Sequence, residues 1–234
     1  MPMNRHPLDP ACTATRHEIG VERQPLLILD RVLADPMRLV AAATSAAFAP
    51  AYGAAGGYPG VRAPAPLDYV EAVARSLLPV LIDGFALPRA KLRRAECNFS
   101  LVTLPPDRLH ASQRAPHIDT VDPWQFAILH YLCGPEHGGT AFFRHRATGF
   151  ETLSADRLPA YDEARARDAD GDGYIVASDA GFDMAYSVDA AFDRLIVYRS
   201  CLLHSGRIGD PSRLSSDPRR GRLTANIFLT LRPG

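Results

Sequence analysis

The spacing of apolar residues changes partway along the chain. In the first part, apolar residues recur at three- and four-residue steps through residues 67–85, and the Ala-rich residues 36–48 share this helical spacing. A short apolar run at residues 25–30 predicts a strand. Residues 51–66 are rich in Gly, Pro and Ala, which is typical of a loop. Pro79 lies inside the longer predicted helix and is expected to kink or split it.

From Ala95 onward the chain consists of short runs rich in β-branched and aromatic residues, separated by turn sequences. The clearest runs are residues 97–104, 124–132, 140–144, 195–198 and 223–231. One predicted helix, residues 155–167, interrupts them. Many short strands with loops of mixed length favour a double-sheet jelly roll. We therefore predict an α+β, mainly β fold: a double-stranded β-helix (jelly-roll, cupin-like) barrel with an N-terminal helical layer packed on it.

The predicted elements suggest one folded domain. The chain of 234 residues suits a single domain with a sizeable core. Residues 1–24 are polar and contain prolines, so we expect a loose lead-in. Residues 25–234 are expected to form the domain, with residues 25–94 as the helical support layer and residues 95–234 as the barrel.

Composition limits the partners and the compartment. Lys plus Arg and Asp plus Glu number 26 each, and this balance argues against a nucleic acid or an anionic membrane as a partner. Four scattered cysteines without a CxxC motif favour a reduced, cytoplasmic protein. No apolar stretch reaches the roughly 18 residues that a membrane helix needs. A small molecule or a peptide is the expected substrate, and the oligomeric state stays open.

A candidate metal site begins at His117 and Asp119. On a strand, these two side chains project to the same face while Ile118 faces away. His204 is the best third ligand, because it follows the apolar run LIVYRSCLL at the point where the chain is expected to leave the sheet. Two histidines and one carboxylate, with open positions beside them, form the ligand set of non-haem Fe(II) oxygenases. Three further histidines, His110, His137 and His145, are not expected to bind metal, since none has a carboxylate two residues away.

The last predicted strand has a polar face. Arg222, Thr224 and Asn226 share one face, and four apolar residues, Leu223, Ala225, Ile227 and Leu229, share the other. We expect the polar face to line a cavity and the apolar face to meet the helical layer. A guanidinium pairs with a carboxylate in a bidentate manner, and a neighbouring hydroxyl adds a hydrogen bond. Arg220 has the same strand parity, so either arginine could fill this position.

Five motifs follow one another in a characteristic order: PHID at 116–119, YL at 131–132, GGTAFF at 138–143, LLHSG at 202–206 and RLTANIF at 222–228. In these motifs the chain resembles the iron(II)/2-oxoglutarate-dependent oxygenase superfamily, with a prolyl-hydroxylase-like layout. Within that superfamily it resembles an uncharacterised bacterial branch with YPGVRAP and GGTAFFRHR elements. The resemblance covers most of the chain and implies a fold and a chemistry, but no particular substrate.

The resemblance implies Fe(II), 2-oxoglutarate as co-substrate and O2. Arg222 and Thr224 would anchor the far carboxylate of 2-oxoglutarate, and Tyr131 could add a hydrogen bond or simply belong to the core. Hydroxylation of a C–H bond is the default outcome, because Asp119 occupies the carboxylate position that halogenating enzymes lack. The alternatives are a cupin-like metalloprotein that does not use 2-oxoglutarate and a catalytically silent jelly-roll binding module.

Two further segments are candidates for ligand binding. Gln113 and Arg114 precede the metal pair and could line the substrate mouth, or be solvated loop residues. Residues 168–179 have the spacing of an EF-hand loop, except that Asp179 replaces the usual Glu at the twelfth position. The shorter acid makes a poorer bidentate ligand, and no clear helix follows. An acidic turn is the favoured interpretation, with calcium binding as the alternative.

Overall fold

The computed structural model describes residues 6–54, 56–87 and 89–234. Its helices are α1 (Pro36–Thr44), α2 (Leu67–Gly84) and α3 (Leu158–Arg165). Its strands are β1 (Thr13–Ile19), β2 (Gln24–Asp30), β3 (Ala49–Gly53), β4 (Gly56–Pro64), β5 (Ala90–Val102), β6 (Gln125–Tyr131), β7 (Gly139–His145), β8 (Phe182–Asp189), β9 (Arg194–Arg199), β10 (His204–Arg207) and β11 (Leu223–Pro233). None of these helices is long and apolar enough to cross a membrane.

The strands form two antiparallel sheets. The larger has eight strands in the order β1-β2-β9-β6-β11-β5-β4-β3, and the smaller has three in the order β10-β7-β8. One face of the large sheet packs on the small sheet, where Leu129 and Tyr198 share an apolar cluster with Phe142 and Val188. The other face packs on α1 and α2. This arrangement confirms the predicted fold class: a mainly β jelly roll backed by helices.

The helical layer is held by apolar contacts across the large sheet. Leu77 and Leu81 of α2 pack with Ile227 and Leu229 of β11, as the predicted two-faced pattern of the last strand requires. Full burial of each leucine contributes roughly 1.5–3 kcal/mol. Pro79 does not break α2, which is continuous from Leu67 to Gly84. Pro79 and Arg75, whose carbonyl loses its helical partner, are both exposed residues.

Two parts of the N-terminal prediction are wrong. Within the expected lead-in of residues 1–24, Thr13–Ile19 form strand β1, and residues 1–5 lie outside the described part of the chain. The expected loop at residues 51–66 is largely the β3–β4 hairpin. Both errors concern the edges of the large sheet, where few residues are buried and hydrophobic alternation is correspondingly weak. Residues 25–94, predicted as a helical support layer, therefore also contain β2, β3 and β4, which are strands of the large sheet.

The C-terminal half differs from the prediction in two connections. Strand β8 was not predicted, although four larger apolar or aromatic residues recur at every second position: Phe182, Met184, Tyr186 and Val188. His204 was expected where the chain leaves a sheet. Instead, the chain crosses between the sheets after β9, and His204 begins β10, which pairs with β7 at Phe142.

A buried polar chain ties the helices to the large sheet. The hydroxyl of Tyr69 on α2 lies 2.8 Å from Nδ1 of His130 on β6, and Nε2 of His130 lies 2.9 Å from Oδ1 of Asp193. Tyr69 and His130 are both 0% exposed. Asp193 also accepts hydrogen bonds from the backbone N–H of Leu33. His130 thus faces the helical layer, whereas Tyr131, its neighbour on β6, faces the small sheet.

Candidate metal centre

Backbone pairing holds the three predicted metal ligands together. His117 lies in an extended segment, not a regular strand, and forms a single β-bridge with His204 through two hydrogen bonds of 2.9 Å. The backbone N–H of Asp119 donates to the carbonyl of Ser200 at 2.8 Å. The segment is therefore fixed against the connection between β9 and β10. It keeps the two-residue alternation that places His117 and Asp119 on one side.

The three side chains converge. One ligand atom from each of His117, Asp119 and His204 lies within 4.8 Å of the others, and this is the only such group of His, Cys, Asp or Glu in the described ranges. The imidazole rings of the two histidines are 4.5 Å apart between centroids. Nε2 of His204 lies 3.8 Å from Oδ2 of Asp119. The predicted triad is therefore brought together by the fold.

The tautomer of His204 suits a metal ligand. Its Nδ1 lies 2.8 Å from the carbonyl oxygen of Leu202, which can only accept, so Nδ1 carries the proton. The lone pair of Nε2 is then free and points to the side of Asp119. Metal-bound histidines usually have their second nitrogen fixed in this way.

The surrounding protein keeps both histidines neutral. Burial lowers the pKa of His204 to about 4, partly offset by the hydrogen bond to Leu202. Burial also lowers the pKa of His117 to about 4, with a smaller contribution in the same direction from His204. Burial raises the pKa of Asp119, whereas the electrostatic influence of the neighbouring His117 and Arg62 lowers it. Neutral imidazoles at pH 7 can donate lone pairs, and a cation would favour the carboxylate form of Asp119. The donor set fits Fe(II).

The triad lines a cavity of about 380 Å³ between the sheets. His117 and Asp119 are open on the cavity side, although only 17% of the Asp119 side chain is accessible, and His204 is 6% exposed. The volume lies at the lower end of the range of roughly 300–1,000 Å³ found for small-molecule sites. Solvent or a ligand can therefore reach one side of the triad.

Arg222 lines the same cavity, and Arg220 does not. Arg222 is 5% exposed, whereas Arg220 is an exposed residue. The Nη2 of Arg222 donates to the carbonyl of Gly139 at 2.7 Å, and its guanidinium carbon lies 5.7 Å from the centroid of the Tyr131 ring. Its Nε is buried without a hydrogen-bond partner among the described residues. An anion in the cavity would satisfy this donor.

The other two residues predicted to contact 2-oxoglutarate lie next to the cavity. Thr224 is 0% exposed and its hydroxyl donates to Oδ1 of Asn226 at 2.7 Å, and Asn226 lines the cavity. The hydroxyl of Tyr131 lies 2.6 Å from Oγ1 of Thr140, which also lines the cavity. Thr224 and Tyr131 are thus each one hydrogen bond away from a residue of the cavity wall.

The structure separates the two residues predicted at the substrate mouth. Gln113 lines the cavity and donates through Nε2 to the carbonyl of Gly57 at 2.8 Å. The guanidinium of Arg114 instead donates to the carbonyls of Leu109 and Gly171. Arg114 is outside the cavity lining and holds two loops together, because its donors are used by backbone carbonyls.

The acidic segment at residues 168–179 has internal partners. Oδ2 of Asp168 lies 2.9 Å from Nε2 of His145, and Oδ1 of Asp170 accepts from Arg165 at 3.1 Å. Oδ1 of Asp179 accepts from the backbone N–H of Phe182 at 2.7 Å. These carboxylates point to different partners and do not converge on one point, which favours the acidic turn over a calcium loop.

Sequence reasoning missed Arg62 and Tyr58, which line the cavity from β4. Arg62 pairs with Ser100 of β5, and Ser100 pairs with Thr224 of β11, so the three residues form one row across the sheet. The alternation of Tyr58, Gly60 and Arg62 carried the signal, but Gly and Pro within residues 51–66 predicted a loop.

The solved structures to which the chain is similar have low sequence identity to it. HygX from Streptomyces hygroscopicus, solved with nickel and 2-oxoglutarate bound, is similar with a TM-score of 0.49 and 14% identity over 91% of this chain and 84% of that chain. AviO1 from Streptomyces viridochromogenes Tue57 is similar with a TM-score of 0.45 and 14% identity over 97% and 90%. The non-heme alpha ketoglutarate dependent epimerase SnoN from nogalamycin biosynthesis has a TM-score of 0.43 and 15% identity over 84% and 71%.

No curated protein matches the chain. A family profile, described as a family of unknown function, matches residues 10–229. This range includes both sheets except the end of β11, the helical layer and all three residues of the triad. The chain belongs to the family of unknown function DUF6445.

Proposed function

We propose that the protein is an Fe(II)- and 2-oxoglutarate-dependent dioxygenase that hydroxylates a C–H bond of a small metabolite or of a peptide side chain. One observation carries this proposal: the ligand atoms of His117, Asp119 and His204 lie within 4.8 Å of one another on the wall of a cavity that also holds the buried Arg222. A binding module without catalysis needs neither a converging donor set nor a buried cation.

His117, Asp119 and His204 would hold Fe(II) through two imidazole nitrogens and one carboxylate oxygen. Bound Fe(II) with 2-oxoglutarate supplies O2-dependent oxidation, in which decarboxylation of the co-substrate to succinate and CO2 is coupled to oxidation of a C–H bond. The chain contributes neutral histidines, a fixed His204 tautomer and a wall that shields one side of the triad.

Arg222 would bind the far carboxylate of 2-oxoglutarate. The unpartnered Nε of Arg222 supports this role, since a carboxylate beside it would satisfy a buried donor and compensate a buried charge. Thr224 and Tyr131 would act through Asn226 and Thr140, which they contact by hydrogen bonds. Gln113 would contribute to the substrate mouth.

Isothermal titration tests the proposal. The purified protein, with Mn(II) in place of Fe(II), is expected to bind one metal ion and then 2-oxoglutarate, with no 2-oxoglutarate binding in the metal-free protein. His117→Ala is expected to lose the metal. Arg222→Gln is expected to keep the metal and weaken 2-oxoglutarate by about 100-fold or more, because truncating one partner of a buried charge pair costs 2–5 kcal/mol.

Arg220→Gln is the matched control, since Arg220 is an exposed arginine two residues away. It is expected to bind 2-oxoglutarate like the unsubstituted protein. Metal binding without any 2-oxoglutarate binding would indicate a cupin-like metalloprotein. Absence of metal binding would leave a catalytically silent jelly-roll module, and the proposal would be wrong.

A further inference from the structure

The cavity contains a second guanidinium that the proposed co-substrate site does not use. Arg62 of β4 lines the cavity, and its guanidinium carbon lies 4.4 Å above the centroid of the Tyr58 ring. The Nε of Arg62 is buried without a hydrogen-bond partner among the described residues. A buried donor without a partner costs free energy that a bound acceptor would recover.

The charges of the cavity wall do not balance. Among the residues that the structure describes, three charged side chains line it: Arg62, Arg222 and Asp119. They leave one positive charge in surplus. Loading with Fe(II) and doubly charged 2-oxoglutarate does not change this balance, because the two added charges cancel. A partly enclosed cavity with one uncompensated positive charge favours a ligand that brings one negative charge.

Arg62 and the proposed co-substrate anchor start from different places in the sheet. Arg62 lies on the row that runs through Ser100 to Thr224, two strands away from β11. Two strand spacings separate the backbones of β4 and β11 by roughly 10 Å. Arg222 instead precedes β11 and is tied to Gly139 at the start of β7. The two guanidinium groups can therefore serve two different anions.

We propose that Arg62 binds a carboxylate of the substrate, so that the enzyme acts on a small carboxylic acid. This inference rests on the proposed function, because it names the substrate class of the same cavity. A carboxylate carries the single negative charge that the wall lacks, whereas a phosphate monoester carries about 1.5 to 2 charges at pH 7. The cavity of about 380 Å³ suits a small molecule, and Arg62 lies on the strand whose preceding residues Gly57 and Tyr58 also line the cavity.

The test compares matched acids and amides that differ only in charge. Saturation-transfer NMR measures the binding of hexanoate against hexanamide and of 3-phenylpropionate against 3-phenylpropionamide. Each pair is tested with metal-free protein and with protein loaded with Zn(II) and 2-oxoglutarate. The acids are expected to bind at least about tenfold more tightly than the amides, the effect of one charge-assisted hydrogen bond.

Three variants assign this preference to one residue. In protein loaded with Zn(II) and 2-oxoglutarate, where Arg222 is occupied, Arg62→Gln is expected to abolish the acid preference. Its affinity for 2-oxoglutarate is expected to be unchanged. Arg62→Lys keeps the charge and is expected to retain part of the preference. The retained 2-oxoglutarate affinity of Arg62→Gln shows that its loss of preference is not a loss of fold. Arg220→Gln, at an exposed arginine, is expected to retain all of it.

The remaining outcomes either overturn the inference or separate it from the proposed function. In protein loaded with Zn(II) and 2-oxoglutarate, equal binding of acids and amides, no binding of either at millimolar concentrations, or a preference that survives in Arg62→Gln excludes a carboxylate site at Arg62. Loss of 2-oxoglutarate affinity in Arg62→Gln would make Arg62 the co-substrate anchor. If the acid preference is present and depends on Arg62, but 2-oxoglutarate never binds, the carboxylate site stands and the proposed dioxygenase function fails.

Discussion

The buried chain from Tyr69 through His130 to Asp193 makes a stability prediction that is independent of the metal site. The carboxylate of Asp193 accepts the backbone N–H of Leu33, shared between its two oxygens, and lies beside Nε2 of His130. Nε2 therefore carries the proton, and Nδ1 accepts from the Tyr69 hydroxyl. Tyr69→Phe removes that hydroxyl and leaves Nδ1 without a partner in a site that is 0% exposed. An unsatisfied buried acceptor costs about 1–3 kcal/mol.

For a chain of this length, each kcal/mol lowers Tm by about 2–4 °C, so Tyr69→Phe is expected to lower Tm by about 4–8 °C for a loss near 2 kcal/mol. Urea unfolding followed by circular dichroism measures the free energy of unfolding. Tyr186→Phe is the matched control: its hydroxyl lies 3.4 Å from Nδ1 of His17 in a partly accessible place. Its loss is expected to stay within about 0.5 kcal/mol.

An equal, small effect of Tyr69→Phe and Tyr186→Phe would refute the reasoning, because it would show that the hydroxyl of Tyr69 is dispensable. The affinity for metal serves as a second readout. His130 faces the helical layer on the far side of the large sheet, so Tyr69→Phe is expected to leave metal binding unchanged.

Two further predictions concern pH and calcium. Burial lowers the pKa of His117 and of His204 to about 4 from 6.5, so the unfolded chain binds protons that the folded chain does not. Their contribution to the stability of the metal-free protein is therefore present above pH 6.5 and lost as the pH falls towards 4. Differential scanning calorimetry is expected to show a flatter pH dependence of Tm in the His117→Gln/His204→Gln double variant, and an unchanged slope would contradict the shifts. Calcium is expected to leave Tm unchanged, whereas Asp168→Ala is expected to destabilise the fold by about 1–3 kcal/mol by leaving the 0% exposed His145 side chain without its carboxylate. Asp170→Ala, at a half-exposed carboxylate, is the control, and a calcium-induced rise in Tm that disappears in Asp168→Ala would show a calcium loop instead.

The sequence predicted the elements whose side chains are buried on one face. The spacing of Leu77 and Leu81 in α2 and the alternation in β11 indicated both the elements and the faces that meet. Edge strands gave no comparable signal. In β1 only Ile19 is buried, and in β3 no residue is, so hydrophobic alternation could not reveal them.

The sequence predicted those residues of the candidate site that belong to short motifs. His117 and Asp119 were linked by their two-residue spacing, and His204 by its place after an apolar run. The choice between Arg222 and Arg220 depends on burial, which strand parity alone cannot give. Arg62 comes to the cavity only through the pairing of β4 with β5, a long-range contact that the glycines and prolines of this segment obscured.

Anaerobic absorption spectroscopy tests the central claim most directly, namely that His117, Asp119 and His204 hold Fe(II) beside a 2-oxoglutarate site. The metal-free protein is titrated with Fe(II) and then with 2-oxoglutarate. A weak visible charge-transfer band is expected only when both are present, absent in His117→Ala and weakened in Arg222→Gln but not in Arg220→Gln. Bound Fe(II) without a band at saturating 2-oxoglutarate, or a band that persists in His117→Ala, would contradict the account.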